Sequence, residues 1–105
     1  MNYIIKENNW LIGMDHGFGN GYVVIPKGHP YHGQDYDNIP VDVHGDLTFA
    51  EPASGLEWKE LQPEDKEGWV VGFDTSHWGD TSVNWSESEV VKETIRLRDQ
   101  LLAVK

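Results

Sequence analysis

A chain of 105 residues with five Trp, four Tyr and three Phe has the large side chains for one modest core and too little length for two, so a single domain over residues 1–105 is expected and a disordered chain is excluded. The formal charge of -10, from 18 acidic against 8 basic side chains, repels nucleic-acid phosphates, and no basic stripe offsets that repulsion. Cysteine is absent, which removes disulfides and thiolate metal sites and leaves His, Asp and Glu as the only metal ligands.

The charge is unevenly placed. Residues 86–105 carry Lys92, Arg96, Arg98 and Lys105 against Glu87, Glu89, Glu93 and Asp99, so the whole excess lies in residues 1–85. Such a body stays in solution, and it also attracts a basic protein or mimics a nucleic acid towards a protein that binds one. The first ten residues lack the basic flank and long apolar core of a signal peptide, and no later run approaches membrane-spanning length.

Along the chain, Asn9 to Met14 reads as a short first strand, and Gly17, Gly19 and Gly21 mark a turn after it. Tyr22-Val23-Val24-Ile25 is a better strand, ended by Pro26 and Pro30. Residues 31–38 are polar and lack a period, as an ordered loop would. Ile39, Val41 and Val43 alternate with Asp42 and His44, which predicts a strand, and Gly45-Asp46 predicts a turn into Leu47-Thr48-Phe49-Ala50 and hence a hairpin. Residues 51–67, with two prolines and six acids, read as an acidic surface loop that Leu56, Trp58 and Leu61 pin to the body. Trp69-Val70-Val71-Gly72-Phe73 is apolar throughout, as in a central strand covered on both faces.

The C-terminal segment predicts a helix over residues 86–104. Ser86 stands as N-cap with Glu89 completing a capping box, and Trp85 is placed to staple against Val90. Val90, Thr94, Leu97, Leu101 and Val104 form one stripe, which Val91, Ile95 and Leu102 widen. The fold class is therefore α+β: an antiparallel or mixed sheet of four to five short strands with one helix packed on it.

Three polar groups follow or end predicted strands: His29 and His32 with Asp35 and Asp37; Asp42, His44 and Asp46; and Asp74, His77 and Asp80. Mixed imidazole and carboxylate donors suit divalent zinc, manganese or iron, although no spacing matches a named metal motif. The same residues permit acid–base chemistry, with His44 or His77 as base and Asp74 as its orienting partner. Ser76 and Thr75 beside His77 are poor nucleophiles, since sequence neighbours point apart and no nucleophile elbow is present. Against a site stands the ordinary use of Asp and His at strand ends to bond loop backbone. The tryptophans are expected in the core, with Trp78 also suited to wall a pocket.

The motifs Gly28-His29-Pro30, Val43-His44-Gly45 with Leu47-Thr48-Phe49, and Gly72-Phe73-Asp74 with His77 and Gly79-Asp80 resemble those of a family of small uncharacterised bacteriophage and bacterial proteins. The resemblance covers residues 21–50 and 68–104. It implies one shared site containing His29, His44, Asp74, His77 and Asp80, and it carries no activity with it. Asp46 stands where the family pattern often has glycine, and Thr75 where some members have cysteine, so a thiol mechanism is not expected. The resemblance implies a phage-type accessory protein in the cytoplasm of a bacterial host, and the residue chemistry itself points to a His/Asp site taking a small ligand or a divalent metal. The alternative is a non-enzymatic acidic protein that occupies a host defence factor. Neither reading involves a membrane.

Overall fold

A computed structural model describes residues 1–8 and 15–104. The strand expected over Asn9 to Met14 lies outside the described residues. Four strands, β1 (Tyr3–Glu7), β2 (Gly19–Ile25), β3 (Phe49–Pro52) and β4 (Trp69–Phe73), form one antiparallel sheet in the order β1-β2-β4-β3, and one helix, α1 (Glu87–Leu102), packs on it. The α+β class expected from the sequence is the observed one, with four strands. No described helix is long and apolar enough to cross a membrane.

The sheet is centred on β2 and β4, whose register pairs Val23 with Val71 and Val24 with Val70. Both strands are apolar on both faces because both faces are covered. Val23, Ile25, Val71 and Phe73 point to α1 and meet Val90, Leu97 and Leu101, all at most 1% exposed. Gly21 lets the helix come close. A Cβ there would overlap Thr94 Oγ1 and stand 2.6 Å from Phe73 Cε1, and Thr94 turns its hydroxyl back onto the Val90 carbonyl at 2.7 Å.

The opposite face belongs to Ile4, Tyr22, Val24 and Val70, which pack under Ala53, Leu56, Trp58 and Leu61. Residues 51–67 are thus the second cover of the sheet and begin inside β3, rather than forming a wholly solvent-facing loop. Their acids divide accordingly. Glu51, Glu57, Glu64 and Glu67 are exposed, Glu60 pairs with Lys6 at 3.3 Å, and Asp65 is buried, accepting from Asn2 Nδ2 and the Gln62 N–H at 3.0 Å each.

Four local expectations are corrected. Gly19 and Gly21, expected in a turn, lie inside β2 and pair with Glu7 and Ile5. Residues 39–44 form no strand, although the alternation survives: Ile39 and Val43 are buried and Asp42 is exposed. In place of a neighbouring strand, helix side chains satisfy this backbone. The Asp42 N–H donates to Gln100 Oε1 and its carbonyl accepts from Gln100 Nε2, both at 2.8 Å. At the helix start, Ser86 keeps the extended N-cap backbone but makes no side-chain cap bond, and its Oγ lies 3.2 Å from Ser88 Oγ. Glu89 turns to Lys92 at 3.3 Å, so the capping box does not form. Leu102, expected to widen the buried stripe, is 53% exposed. β1 was not foreseen, since Tyr-Ile-Ile-Lys-Glu has only two adjacent aliphatics and no alternation.

Candidate functional site

The segment 43–48 and the segment after β4 meet beside the N-terminal half of α1. Gly45 at φ +67° and Asp46 at φ +65° make two consecutive left-handed residues, and the Asp46 N–H closes the turn on the Val43 carbonyl at 3.0 Å. This is the turn expected at Gly45-Asp46. It holds His44 with its ring tilted 34° against Trp85 at a centroid distance of 4.1 Å, while the His44 N–H donates to Glu93 Oε2 at 2.8 Å. Trp85 and Glu93 therefore position His44, a role that no spacing in the sequence signals.

After β4 the chain enters a second turn. Asp74 Oδ1 accepts the Ser76 N–H and its Oδ2 accepts the Thr48 hydroxyl, both at 3.0 Å. Thr75 is fully buried and donates from Oγ1 to the Gly19 carbonyl at 2.7 Å, which anchors the turn to β2 and commits its own hydroxyl to structure. The His77–Asp80 turn closes through Asp80 N–H to the His77 carbonyl at 2.9 Å, and Asp80 Oδ2 accepts the His77 N–H at 2.9 Å.

These turns bring His44, His77 and Asp80 together. His44 Nε2 and Asp80 Oδ1 are 2.8 Å apart, and the His44 and His77 rings stand perpendicular with centroids 5.6 Å apart. One ligand-capable atom from each of the three lies within 4.8 Å of the others. His77 Nδ1 is 3.3 Å from Asp74 Oδ1 and 3.4 Å from Asp80 Oδ2. It is buried yet has no hydrogen-bond partner among the described residues. Asp80 is only 7% exposed, and its two oxygens face His44 Nε2 and the His77 N–H, so the group holds a buried carboxylate with imidazoles as its neighbours.

Other expected candidates lie elsewhere. His29 accepts the Tyr31 N–H at Nδ1 (3.0 Å) and bonds the Leu101 carbonyl through Nε2 (2.8 Å), so both nitrogens are spent tying residues 29–31 to the end of α1. His32 bonds the Glu67 carbonyl at 2.7 Å, and Asp42 reaches Arg96 at 3.2 Å. Of the expected orienting roles, Asp80 rather than Asp74 faces His44, while Asp74 Oδ1 stands 3.3 Å from His77 Nδ1.

Glu93 carries the clearest electrostatic shift near the site. The Arg96 guanidinium, at 2.8 and 2.9 Å, lowers its carboxyl below the usual glutamate range; burial opposes this and the His44 N–H reinforces it. Glu93 therefore stays charged and keeps its hold on the His44 backbone at neutral pH. Comparison with family models, curated proteins and solved structures returns no match.

Proposed function

We propose that this protein is a phage-type accessory protein that binds a divalent metal ion of the zinc, manganese or iron class through His44, His77 and Asp80, with Asp74 at the edge of the site. The observation that carries this reading is His77 Nδ1, held 3.3 and 3.4 Å from two carboxylate oxygens without a hydrogen bond among the described residues. A tetrahedral ion with bonds of about 2.0–2.1 Å separates its ligands by about 3.3–3.4 Å. The contact between His77 and Asp80 has that spacing, and one donor atom from each of His44, His77 and Asp80 lies within 4.8 Å of the others.

Two imidazoles with carboxylates favour a borderline transition metal over magnesium or calcium, which take oxygen ligands. His44 Nε2 lies 2.8 Å from Asp80 Oδ1. An ion there competes with protons for the imidazole and carboxylate donors, so affinity falls as pH falls. A bound ion with an open position would activate water or hold the anionic group of a small ligand.

The test is metal analysis of protein purified without a histidine tag, together with melting curves in zinc, manganese, magnesium and chelator. One equivalent of a transition metal and a higher melting temperature are expected, with both lost in His77→Ala and Asp80→Asn. Folded protein that neither contains metal nor shifts with any ion refutes the reading.

A further inference from the structure

The same turn that supplies His77 and Asp80 carries Trp78, whose relative exposure is 103%. The turn is closed by two hydrogen bonds between His77 and Asp80 and contains Gly79 at φ +91°. Trp78 is therefore held outward by a fixed backbone, with an indole whose surface no described residue covers. A tryptophan offers about 150–250 Å² for burial, and none of the described residues uses it. It lines an open cleft of about 470 Å³ with Asp15, His16, His77, Asp80 and Thr81.

The charge around that cleft is one-sided. No Lys or Arg lines it, and none occurs in the segments Asp15 to Pro26 and Glu67 to Val91 that carry its lining. Some carboxylates elsewhere find cations: Glu60 pairs with Lys6, Glu67 with Lys27, Asp42 with Arg96. Asp15, by contrast, pairs with no Lys or Arg among the described residues and accepts the Ser82 N–H at 3.2 Å.

We propose that this cleft docks an arginine side chain of a basic partner protein, with Trp78 as the stacking platform and Asp15 as the paired carboxylate. A guanidinium stacks on an indole face and pairs with a carboxylate in one geometry. A single-stranded nucleic acid would also stack on Trp78, but it needs a positive groove to track its phosphates, and these segments contain no Lys or Arg. The inference does not rest on the metal reading, because neither Trp78 nor Asp15 belongs to the proposed metal ligands.

The test is a ¹H–¹⁵N titration of the whole chain with acetyl-Gly-Arg-Gly-Arg-Gly-amide, with and without chelator. Saturable shifts at the Trp78 indole N–H and at the amides of residues 76–81 are expected. Trp78→Ala should abolish the saturable shifts at residues 76–81, and Asp15→Asn should weaken binding about fivefold or more. Because Trp78 is fully exposed, Trp78→Ala keeps the spectrum of a folded protein. Absence of these shifts at millimolar peptide, equal shifts with the citrulline peptide, or stronger shifts with oligo(dT) would each overturn the proposal. A protein that binds the peptide but takes up no metal supports the docking and refutes only the metal reading.

Discussion

Gly45 stands where the His77 ring needs room: a Cβ on Gly45 would lie 2.8 Å from Nε2 and 2.9 Å from Nδ1 of His77, at a backbone φ of +67°. The left-handed backbone and the missing side chain serve the same contact. Gly45→Ala therefore both strains the turn and pushes His77 from Asp80, at a cost of about 1–3 kcal/mol. Urea denaturation reads the stability loss, and metal affinity should fall with it.

The neighbouring position has the opposite sign. Asp46 adopts φ +65° with a side chain present, where an L-residue pays about 1–2 kcal/mol and aspartate somewhat less. Asp46→Gly relieves that strain and should raise stability by about 0.5–1 kcal/mol after the entropic cost of glycine. A lower urea midpoint for Asp46→Gly would contradict this.

Asp80 holds two donors at once, His44 Nε2 and the His77 N–H. Asp80→Ala leaves both without their acceptor and should cost about 1–3 kcal/mol. Asp80→Asn keeps one acceptor for the His77 N–H and presents its amide to His44, which changes tautomer. Its stability should fall by less than that of the alanine variant while its metal affinity collapses. Calorimetric titration with zinc beside thermal unfolding separates the two effects.

Glu93 gives a pH dependence of known sign. Its folded-state pKa lies below the unfolded value, so the unfolded chain binds the extra proton between the two. The stabilisation is fully present above the ordinary glutamate pKa of about 4.3 and is lost as pH falls through the depressed value. Glu93→Gln should be less stable than the native chain near neutrality and show a shallower loss below about pH 5. Urea midpoints between pH 3 and 7 (about that range suffices) would expose equal slopes, the result that contradicts this.

Gln100 replaces a strand neighbour for Asp42 through two hydrogen bonds of 2.8 Å. Gln100→Ala frees both, at about 0.5–1.5 kcal/mol each. Hydrogen exchange at the Asp42 amide should quicken, while exchange in β2 and β4 changes only by the global loss of stability.

Much of the fold was legible because burial left a period in the sequence. Val90, Thr94, Leu97 and Leu101 repeat at helical spacing and are all buried, and the unbroken apolar run Trp69–Phe73 is the central β4. The segment 39–44 was misread because alternation reports which side of a chain faces the core, not what its backbone bonds to. Here the partners are Gln100 and Glu93, 58 and 49 residues away. The site was half legible. His77 and Asp80 are joined within one turn, as their spacing suggests, but only tertiary structure pairs His44 with Asp80 across 36 residues. His29 shows the opposite case: beside Pro30 it reads as a turn residue, only the family resemblance makes it a site candidate, and its two nitrogens hold Tyr31 and Leu101.

The two covers of the sheet are unlike. One is a continuous helix of 16 residues; the other, residues 51–67, is held mainly by Ala53, Leu56, Trp58 and Leu61 between short turns. Irregular cover with few buried anchors is the part of a domain that opens first, well below the energy of global unfolding. Brief release of residues 51–67 would bare Tyr22, Phe49 and the Trp58 ring stacked on it, while α1 and the His44–Asp80 pair stay closed on the other side. Limited proteolysis should therefore cut near Glu57-Trp58-Lys59 long before it reaches α1, leaving a nicked chain with its histidine cluster intact.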